Sequence, residues 1–130
     1  MAAPSSTFHL RAEGEMSFGY SQARRVGNTL YISGSLSVND RFEPQGPGDM
    51  AAQVRNVYDA IEATLAAFGA SLSNIVKENI FVTDMAAFLE ANAVRVARYK
   101  GGLLPAVTAV EVRRLAFEAC LVEIESVAEL

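Results

Sequence analysis

The chain has 130 residues, of which 51% are hydrophobic and 20% are charged. This composition excludes a disordered chain, and the length predicts one domain spanning residues 1–130. The net charge of −4 and the scattered basic residues argue against the basic surface that nucleic-acid binding requires, so we expect no nucleic-acid partner.

The first predicted elements form a hairpin. Residues 21–26 and 29–34 are strand-like, and Gly27-Asn28 between them predicts a tight turn, because both residues tolerate positive φ. Residues 38–48 are rich in turn-forming types, which indicates a surface loop. Asp49 then caps a helix whose apolar residues recur every three or four positions, and Gly69 ends it.

The second half of the chain predicts a strand, a helix and two further strands. The strand spans 75–83, and the helix begins at Asp84 or Ala87 and ends at Lys100. The last strands span 106–112 and 120–128. The order β-β-α-β-α-β-β predicts an α+β fold, with two helices packed on one face of a mixed sheet.

Two predicted strands carry apolar residues on both faces. In 75–83 and 106–112, apolar side chains occupy both parities, which indicates partial burial on both sides of the sheet. Two helices on one face cannot cover the other face, so we expect the protein to self-associate.

Few residues suit metal or nucleophilic chemistry. Cys120 is the single cysteine and His9 the single histidine, which argues against a multi-cysteine metal site and a Ser-His-Asp triad. Cys120 is interpreted as a small buried side chain, and His9 as a surface residue. Residues 1–7 lack a signal-peptide pattern, and no apolar run approaches the roughly 20 residues that span a bilayer. We therefore expect a cytoplasmic protein with no membrane partner.

The last strand carries two acidic side chains on one face. Glu123 and Glu125 lie about 7 Å apart along a strand and alternate with Val122 and Ile124. They form either a solvated strand face or a carboxylate in a cleft that activates water.

Two further polar features also allow either a structural or a functional interpretation. Asn92 shares the apolar face of its helix, where its amide either bonds to the backbone or enters a site. Ser33-Gly34 ends a strand, either as a common turn pair or where a ligand approaches the backbone. These patterns alone predict an oligomeric α+β domain with polar groups near strand ends.

Several segments together resemble a known family. Tyr20-Ser21-Gln22 is similar to the end of a G-P-Y-S-Q motif, and residues 26–34 to a V-G-N-x-x-x-x-S-G strand pair. Residues 72–84 resemble L-x-x-I-V-K-x-x-V-F-V-x-D, and residues 88–92 resemble F-x-x-x-N. Residues 105–112 and 122–128 resemble P-A-R-x-x-V-E-V and V-E-I-E-A-I-A. The chain is thus identified as resembling the RidA/YjgF family of reactive intermediate deaminases.

The resemblance implies a chorismate-mutase-like fold, a homotrimer and ligand clefts between subunits. Family deaminases hydrolyse 2-imino and 2-aminoacrylate-type compounds without a cofactor, and no metal is implied. By resemblance, Glu123 is the catalytic residue that holds the attacking water. The remaining candidates would bind the substrate: Tyr20, Ser33, Gly34, Asn92, Val107, Thr108 and Ala109.

The chain departs from the family at its arginine. Val107 stands where the P-A-R arginine grips the substrate carboxylate as a bidentate, permanently charged fork. Arg113 lies about 20 Å along the strand and cannot replace it. Four other arginines remain open as replacements from a neighbouring subunit: Arg24, Arg25, Arg95 and Arg98. We therefore expect weak or absent activity on 2-aminoacrylate.

Three functions remain open at this stage. The first is hydrolysis of a neutral or aromatic enamine or imine, with the pKa of Glu123 raised by an apolar cleft. The second is a non-catalytic trimer that binds a metabolite. The third is RNA cleavage, against which the acidic charge and the single histidine argue.

Overall fold

A computed structural model describes residues 5–130, which form one six-stranded mixed sheet with helices. The strand order is β1-β2-β3-β6-β4-β5, and β4 with β5 is its parallel pair. The strands are β1 (Ser5–Phe8), β2 (Ala23–Val26), β3 (Thr29–Leu36), β4 (Ile75–Val82), β5 (Ala106–Glu111) and β6 (Val122–Glu129). The α-helices are α1 (Ala12–Phe18), α2 (Met50–Ala66) and α3 (Met85–Arg98), with a 3₁₀ turn at Leu72–Asn74.

The two long helices cover one face of the sheet, as the sequence predicts. Asp49 and Asp84 cap α2 and α3 by accepting hydrogen bonds from the backbone N–H groups of Ala52 and Ala87. The apolar stripes of both helices pack on alternate residues of the central strands, which excludes water from the helix-covered face. The fully buried core of this face includes Leu30, Val54, Val57, Ile61, Leu65, Val82, Val122 and Ile124.

Strand β1 and helix α1 precede the predicted elements. Neither element was predicted, because β1 has four mostly exposed residues and the seven-residue α1 lacks a side-chain N-cap. Hydrogen bonds to neighbouring segments hold α1 through Glu15, which is fully buried. Its carboxylate accepts hydrogen bonds from His9 Nδ1 and from the backbone N–H groups of Leu10, Arg11 and Gln22. His9 is therefore a partner of Glu15 and not a free surface residue.

A buried ion pair lies between the helices and the sheet. Glu78 of β4 accepts hydrogen bonds from Arg95 of α3 at 2.8 Å and from the Tyr58 hydroxyl of α2 at 2.7 Å. Burial, together with the charge of Glu78, raises the pKa of Tyr58, so Tyr58 stays protonated and donates. The pair ties both helices to β4 in a region from which water is excluded.

The second face of the sheet is only partly covered. At one end, a smaller cluster forms around Leu36, Val38, Leu115 and Cys120. Burial, followed by the charge of Glu123, raises the pKa of the Cys120 thiol, which agrees with the predicted inert buried side chain. The rest of this face is open: Tyr31 is 52% exposed and Val110 is 41% exposed. Within residues 5–130, no helix is long and apolar enough to cross a bilayer.

Candidate functional site

A β-bulge places the candidate site at the end of strand β3. The pairing of β3 with β6 shifts between Ile32 and Ser35, so Ser33 and Gly34 lie opposite the region of Glu123 and Glu125. Bulges re-aim side chains and occur often beside functional sites. A Cβ added to Gly34 would lie 2.7 Å from the Glu123 side-chain Cδ, so only glycine leaves room for this carboxyl group.

A cavity of about 340 Å³ opens at this bulge. Its polar groups come from Tyr20, Ser33 and the two glutamates, while aromatic rings supply much of its wall. The lining residues are Phe18, Tyr20, Ser33, Gly34, Leu36, Phe42, Ala116, Phe117, Glu123 and Glu125. The structure thus brings together the predicted residues Tyr20, Ser33, Gly34 and Glu123 around one cavity. Their roles remain predictions.

The Glu123 carboxyl group has the electrostatic setting of an acid–base group. Burial, followed by the like charge of Glu125, raises the pKa of Glu123 above its ordinary value. Glu125 is exposed and accepts a hydrogen bond from the Asn79 amide at 3.1 Å. The two carboxylates of one strand face therefore differ in environment, as paired groups with separate roles do.

Tyr20 and Ser33 are positioned by local backbone geometry. Gly19, at φ 90°, ends α1 in the left-handed conformation and turns the chain toward the cavity at Tyr20. Burial, followed by the charge of Glu15, raises the pKa of Tyr20, so its hydroxyl remains a donor at neutral pH. The Ser33 hydroxyl donates to the Ser21 carbonyl at 2.6 Å, which fixes its direction at the cavity wall.

Gly34→Ala is expected to reduce turnover by about 100-fold, because the added methyl group displaces the Glu123 carboxyl group. The fold should persist, since the clash is with a flexible side chain and not with backbone. Steady-state kinetics measured beside thermal unfolding checks this. Unchanged kcat/KM in the variant would show that Glu123 need not occupy the observed position.

Glu125→Gln is expected to move the acid limb of the pH–rate profile to lower pH. The charge of Glu125 is one cause of the raised pKa of Glu123, so its removal lowers that pKa and keeps Glu123 ionised in more acidic solution. Glu129→Gln, farther along the same strand, is the matched control and should leave the profile in place. An unmoved or upward-shifted limb in Glu125→Gln would contradict the assignment of this limb to Glu123.

Gln53 joins the two loops that contribute Phe42 and Phe117 to the cavity wall. This fully buried side chain of α2 donates to the carbonyls of Gly46 and Ala119 and accepts from the backbone N–H of Leu121 at 2.7 Å. It therefore fastens the loop before α2 to the loop before β6, and these loops carry Phe42 and Phe117. The sequence does not reveal the contacts of Gln53 with Ala119 and Leu121, because these partners lie 66 and 68 residues away.

The other predicted site residues do not line the Glu123 cavity of the same chain. Val107 and Ala109 pair in register with Glu78 and Ile80, which places them on the helix-covered face, opposite Glu123. Asn92 is half-buried on α3, which shares the core of that face and pairs with β4 through Arg95 and Glu78. Thr108 is on the open face, where its hydroxyl accepts from Lys77 Nζ at 3.0 Å. One chain alone does not bring these residues to the Glu123 cavity.

The structure also places the four alternative arginines. Arg95 is buried against Glu78, Arg98 pairs with Asp59 and Glu62, and Arg25 donates to the carbonyl of Gly27. Arg24 is exposed and lines an adjoining groove of about 340 Å³ with Lys77. This basic groove shares Ser33 and Glu125 with the Glu123 cavity.

No grouping of three or more His, Cys, Asp or Glu side chains suited to a metal ion occurs among residues 5–130. The groups that line the cavity are carboxyl, hydroxyl and aromatic side chains together with apolar ones. A half-buried carboxylate can take a proton from water, and a tyrosine hydroxyl beside it can orient a polarised double bond.

Comparison with protein families and sequences identifies relatives over most of the chain. A family model described as Endoribonuclease L-PSP matches residues 13–130. A RutC family protein of Pyrococcus horikoshii is 39% identical over 109 residues, covering 84% of this chain and 85% of its own length. The 2-iminobutanoate/2-iminopropanoate deaminase of Escherichia coli K12 is 35% identical over 111 residues, covering 84% and 85% of the two chains.

Solved structures show the same fold. A YjgF/YER057c/UK114 family member from Mycobacterium tuberculosis matches with a TM-score of 0.85 and 31% identity, covering 98% of this chain and 100% of its own. The YjgF gene product of E. coli matches with a TM-score of 0.83 and 32% identity, covering 95% and 98% of the two chains. The α+β, chorismate-mutase-like fold is therefore confirmed, and the chain belongs to the RidA/YjgF family.

Proposed function

We propose that the protein is a RidA-like hydrolase that deaminates an enamine, imine or related reactive intermediate. The observation that carries the proposal is the half-buried Glu123 carboxyl group, held by the Gly34 bulge in a cavity with Tyr20 and Ser33. Relatives named as 2-iminobutanoate/2-iminopropanoate deaminases support the same reaction class.

In the proposed mechanism, Glu123 acts first as a base and then as an acid. Its carboxylate takes a proton from water as the water oxygen bonds to the carbon of the protonated imine and the C=N π electrons move to the positively charged nitrogen, which gives a neutral carbinolamine. The proton then passes from Glu123 to the amino nitrogen of the carbinolamine. The C–N bond breaks as the carbonyl forms, and the hydroxyl proton leaves with ammonia as ammonium.

We further propose that the working sites lie in clefts between the subunits of a homotrimer. The open sheet face carries the exposed apolar side chains of Tyr31 and Val110, which a second copy would cover. Asn92, Val107 and Ala109 lie on the face opposite Glu123 in their own chain, so only a neighbouring chain could present them to its cavity. Light scattering that gave the mass of a monomer would contradict this arrangement.

Val107→Arg tests the reaction class and the missing carboxylate clamp together. With 2-aminoacrylate generated in solution, we expect little or no acceleration by the natural protein. The arginine variant should gain about tenfold or more in kcat/KM, because a guanidinium supplies charge-assisted hydrogen bonds to the substrate carboxylate. The readout is keto-acid release.

Val96→Arg is the matched control, since Val96 on α3 has 42% exposure, close to the 40% of Val107. It should gain nothing. If the natural protein already hydrolyses 2-aminoacrylate, a basic side chain at another position binds the substrate carboxylate. If neither the natural protein nor Val107→Arg accelerates the reaction, a metabolite-binding trimer without catalysis is favoured.

RNA cleavage receives less support from the cavity chemistry. Among the described residues, the lining includes two carboxylates and no lysine, arginine or histidine, so its charge repels a phosphodiester. The cations that line the adjoining basic groove in residues 5–130 are Arg24 and Lys77, and Lys77 donates to Thr108.

A further inference from the structure

An aromatic wall encloses one side of the Glu123 cavity. The wall consists of Phe18 at the end of α1, Phe42 in the loop before α2 and Phe117 in the loop before β6. Phe18 meets Phe42 edge-to-face at 5.3 Å and Phe117 at 6.2 Å, and the rings of Phe42 and Phe117 are 6.1 Å apart. Three mutually contacting rings form a ready surface for another flat, apolar group.

Phe42 is held in this wall by an uncommon backbone conformation. Its φ is 60°, in the left-handed region that bulky side chains rarely adopt. Its ring packs on Gly14 of α1, where an added Cβ would lie 2.3 Å from the ring. These features fix the Phe42 ring at the cavity, while Phe18 remains 63% exposed at the cavity mouth.

The charges at the cavity select for a cation. Glu123 and Glu125 both line it, and no basic side chain is among the described lining residues. Arg11 lies 6.0 Å from the Phe42 ring but donates to the Val38 carbonyl and does not line the cavity. Aromatic faces and carboxylates both attract a positively charged nitrogen, whereas they repel a carboxylate.

We propose that the preferred substrate is a protonated imine that carries an aromatic ring and has no carboxylate beside the reacting carbon. This inference rests on the proposed function and specifies its substrate class. The ring packs on the aromatic wall, and the iminium carbon lies at Glu123, where water adds as described above. Two-electron oxidation of a primary aryl-alkyl amine is the class of reaction that supplies such an imine.

Four imines generated in place separate the ring from the carboxylate. A flavin amine oxidase converts phenethylamine and butylamine to imines without a carboxylate, and an L-amino-acid oxidase converts phenylalanine and norvaline to imines with one. The readout is the rate of ammonium release after the oxidase has formed the imine, measured with and without the protein. We expect the phenethylamine product to be hydrolysed about tenfold or more faster than each of the other three.

Phenylalanine variants test whether the wall is responsible. Phe117→Leu and Phe42→Leu should each reduce the preference for the ring over the butyl chain by about five- to tenfold. Phe117→Leu is the safer variant, because Phe42 lies at positive φ. Phe68→Leu is the matched control, since Phe68 packs against Phe8 at 6.0 Å outside the cavity, and it should leave the preference unchanged.

The possible failures are distinguishable. Faster hydrolysis of the carboxylate-bearing imines would overturn the substrate class while leaving the hydrolase function intact, and would point to the Arg24 groove. If none of the four is hydrolysed faster, the proposed function fails, and calorimetry with phenethylammonium, butylammonium and phenylacetate decides the ligand class. Tightest binding of phenethylammonium would then support the aromatic cation site, and any other order would overturn it.

Discussion

Glu123→Gln is expected to lower kcat by about 10²- to 10⁴-fold, the range over which general acid–base groups contribute. The amide has nearly the shape of the carboxyl group and fits the space beside Gly34, but it cannot take a proton from water. The measurement is the rate of carbonyl release from the imine that the natural protein hydrolyses fastest. Glu125→Gln is the matched control and should retain turnover near its own pH optimum.

Glu123→Gln is expected to lower activity without lowering the stability of the fold. The pKa of Glu123 is raised in the folded state, so its favourable contribution to folding is complete below the unfolded pKa and is lost as pH rises through the folded pKa. Glu123→Gln removes the ionised group, so thermal stability at neutral pH should not fall and is expected to rise. An inactive and destabilised variant would indicate that Glu123 supports the fold instead of the chemistry.

Arg95→Met is expected to lower the free energy of unfolding by about 3–5 kcal/mol, because it leaves the fully buried Glu78 carboxylate without its charged partner. Tyr58 would still donate one hydrogen bond to Glu78, but a neutral donor does not balance a buried charge. Denaturant unfolding followed by circular dichroism measures the change.

Two further variants complete this test. Arg98→Met, three residues later on α3, removes a more exposed ion pair with Asp59 and Glu62 and should cost less than about 1 kcal/mol. The double variant Glu78→Gln with Arg95→Met should recover most of the lost stability, since the uncompensated charge is removed. An effect of Arg95→Met no larger than that of Arg98→Met would show that the buried pair contributes little.

The strand and helix pattern was predictable where local signals are strong. Asp49 and Asp84 begin the long helices, and Gly27-Asn28 turns the hairpin, with Gly27 at φ 61°. The alternation of β6 correctly separated the buried Val122 and Ile124 from Glu123 and Glu125. These features depend on neighbours within a few residues, so the sequence carries them directly. Strand β1 and helix α1 were not predicted, because both are short, β1 is mostly exposed and α1 has no side-chain N-cap.

Part of the candidate site was also predictable from the sequence. The resemblance of residues 17–128 to the family named Tyr20, Ser33, Gly34 and Glu123, and these four residues do line one cavity. It also named Asn92, Val107 and Ala109, which a single chain places on the other side of the sheet. The order of motifs along a chain does not show which subunit contributes each residue to a site. The sheet register shows that these residues and Glu123 lie on opposite faces of one chain.

By itself, the sequence determined the α+β architecture, the family and the absence of an arginine at position 107, because periodicity, capping and motif spacing are local properties. Only the tertiary structure decided the surroundings of Glu123. The Ser33-Gly34 bulge, the aromatic wall and the Glu78–Arg95 pair each join segments that are far apart in sequence. These contacts depend on strand register and packing, so the sequence alone could not show that the residues meet.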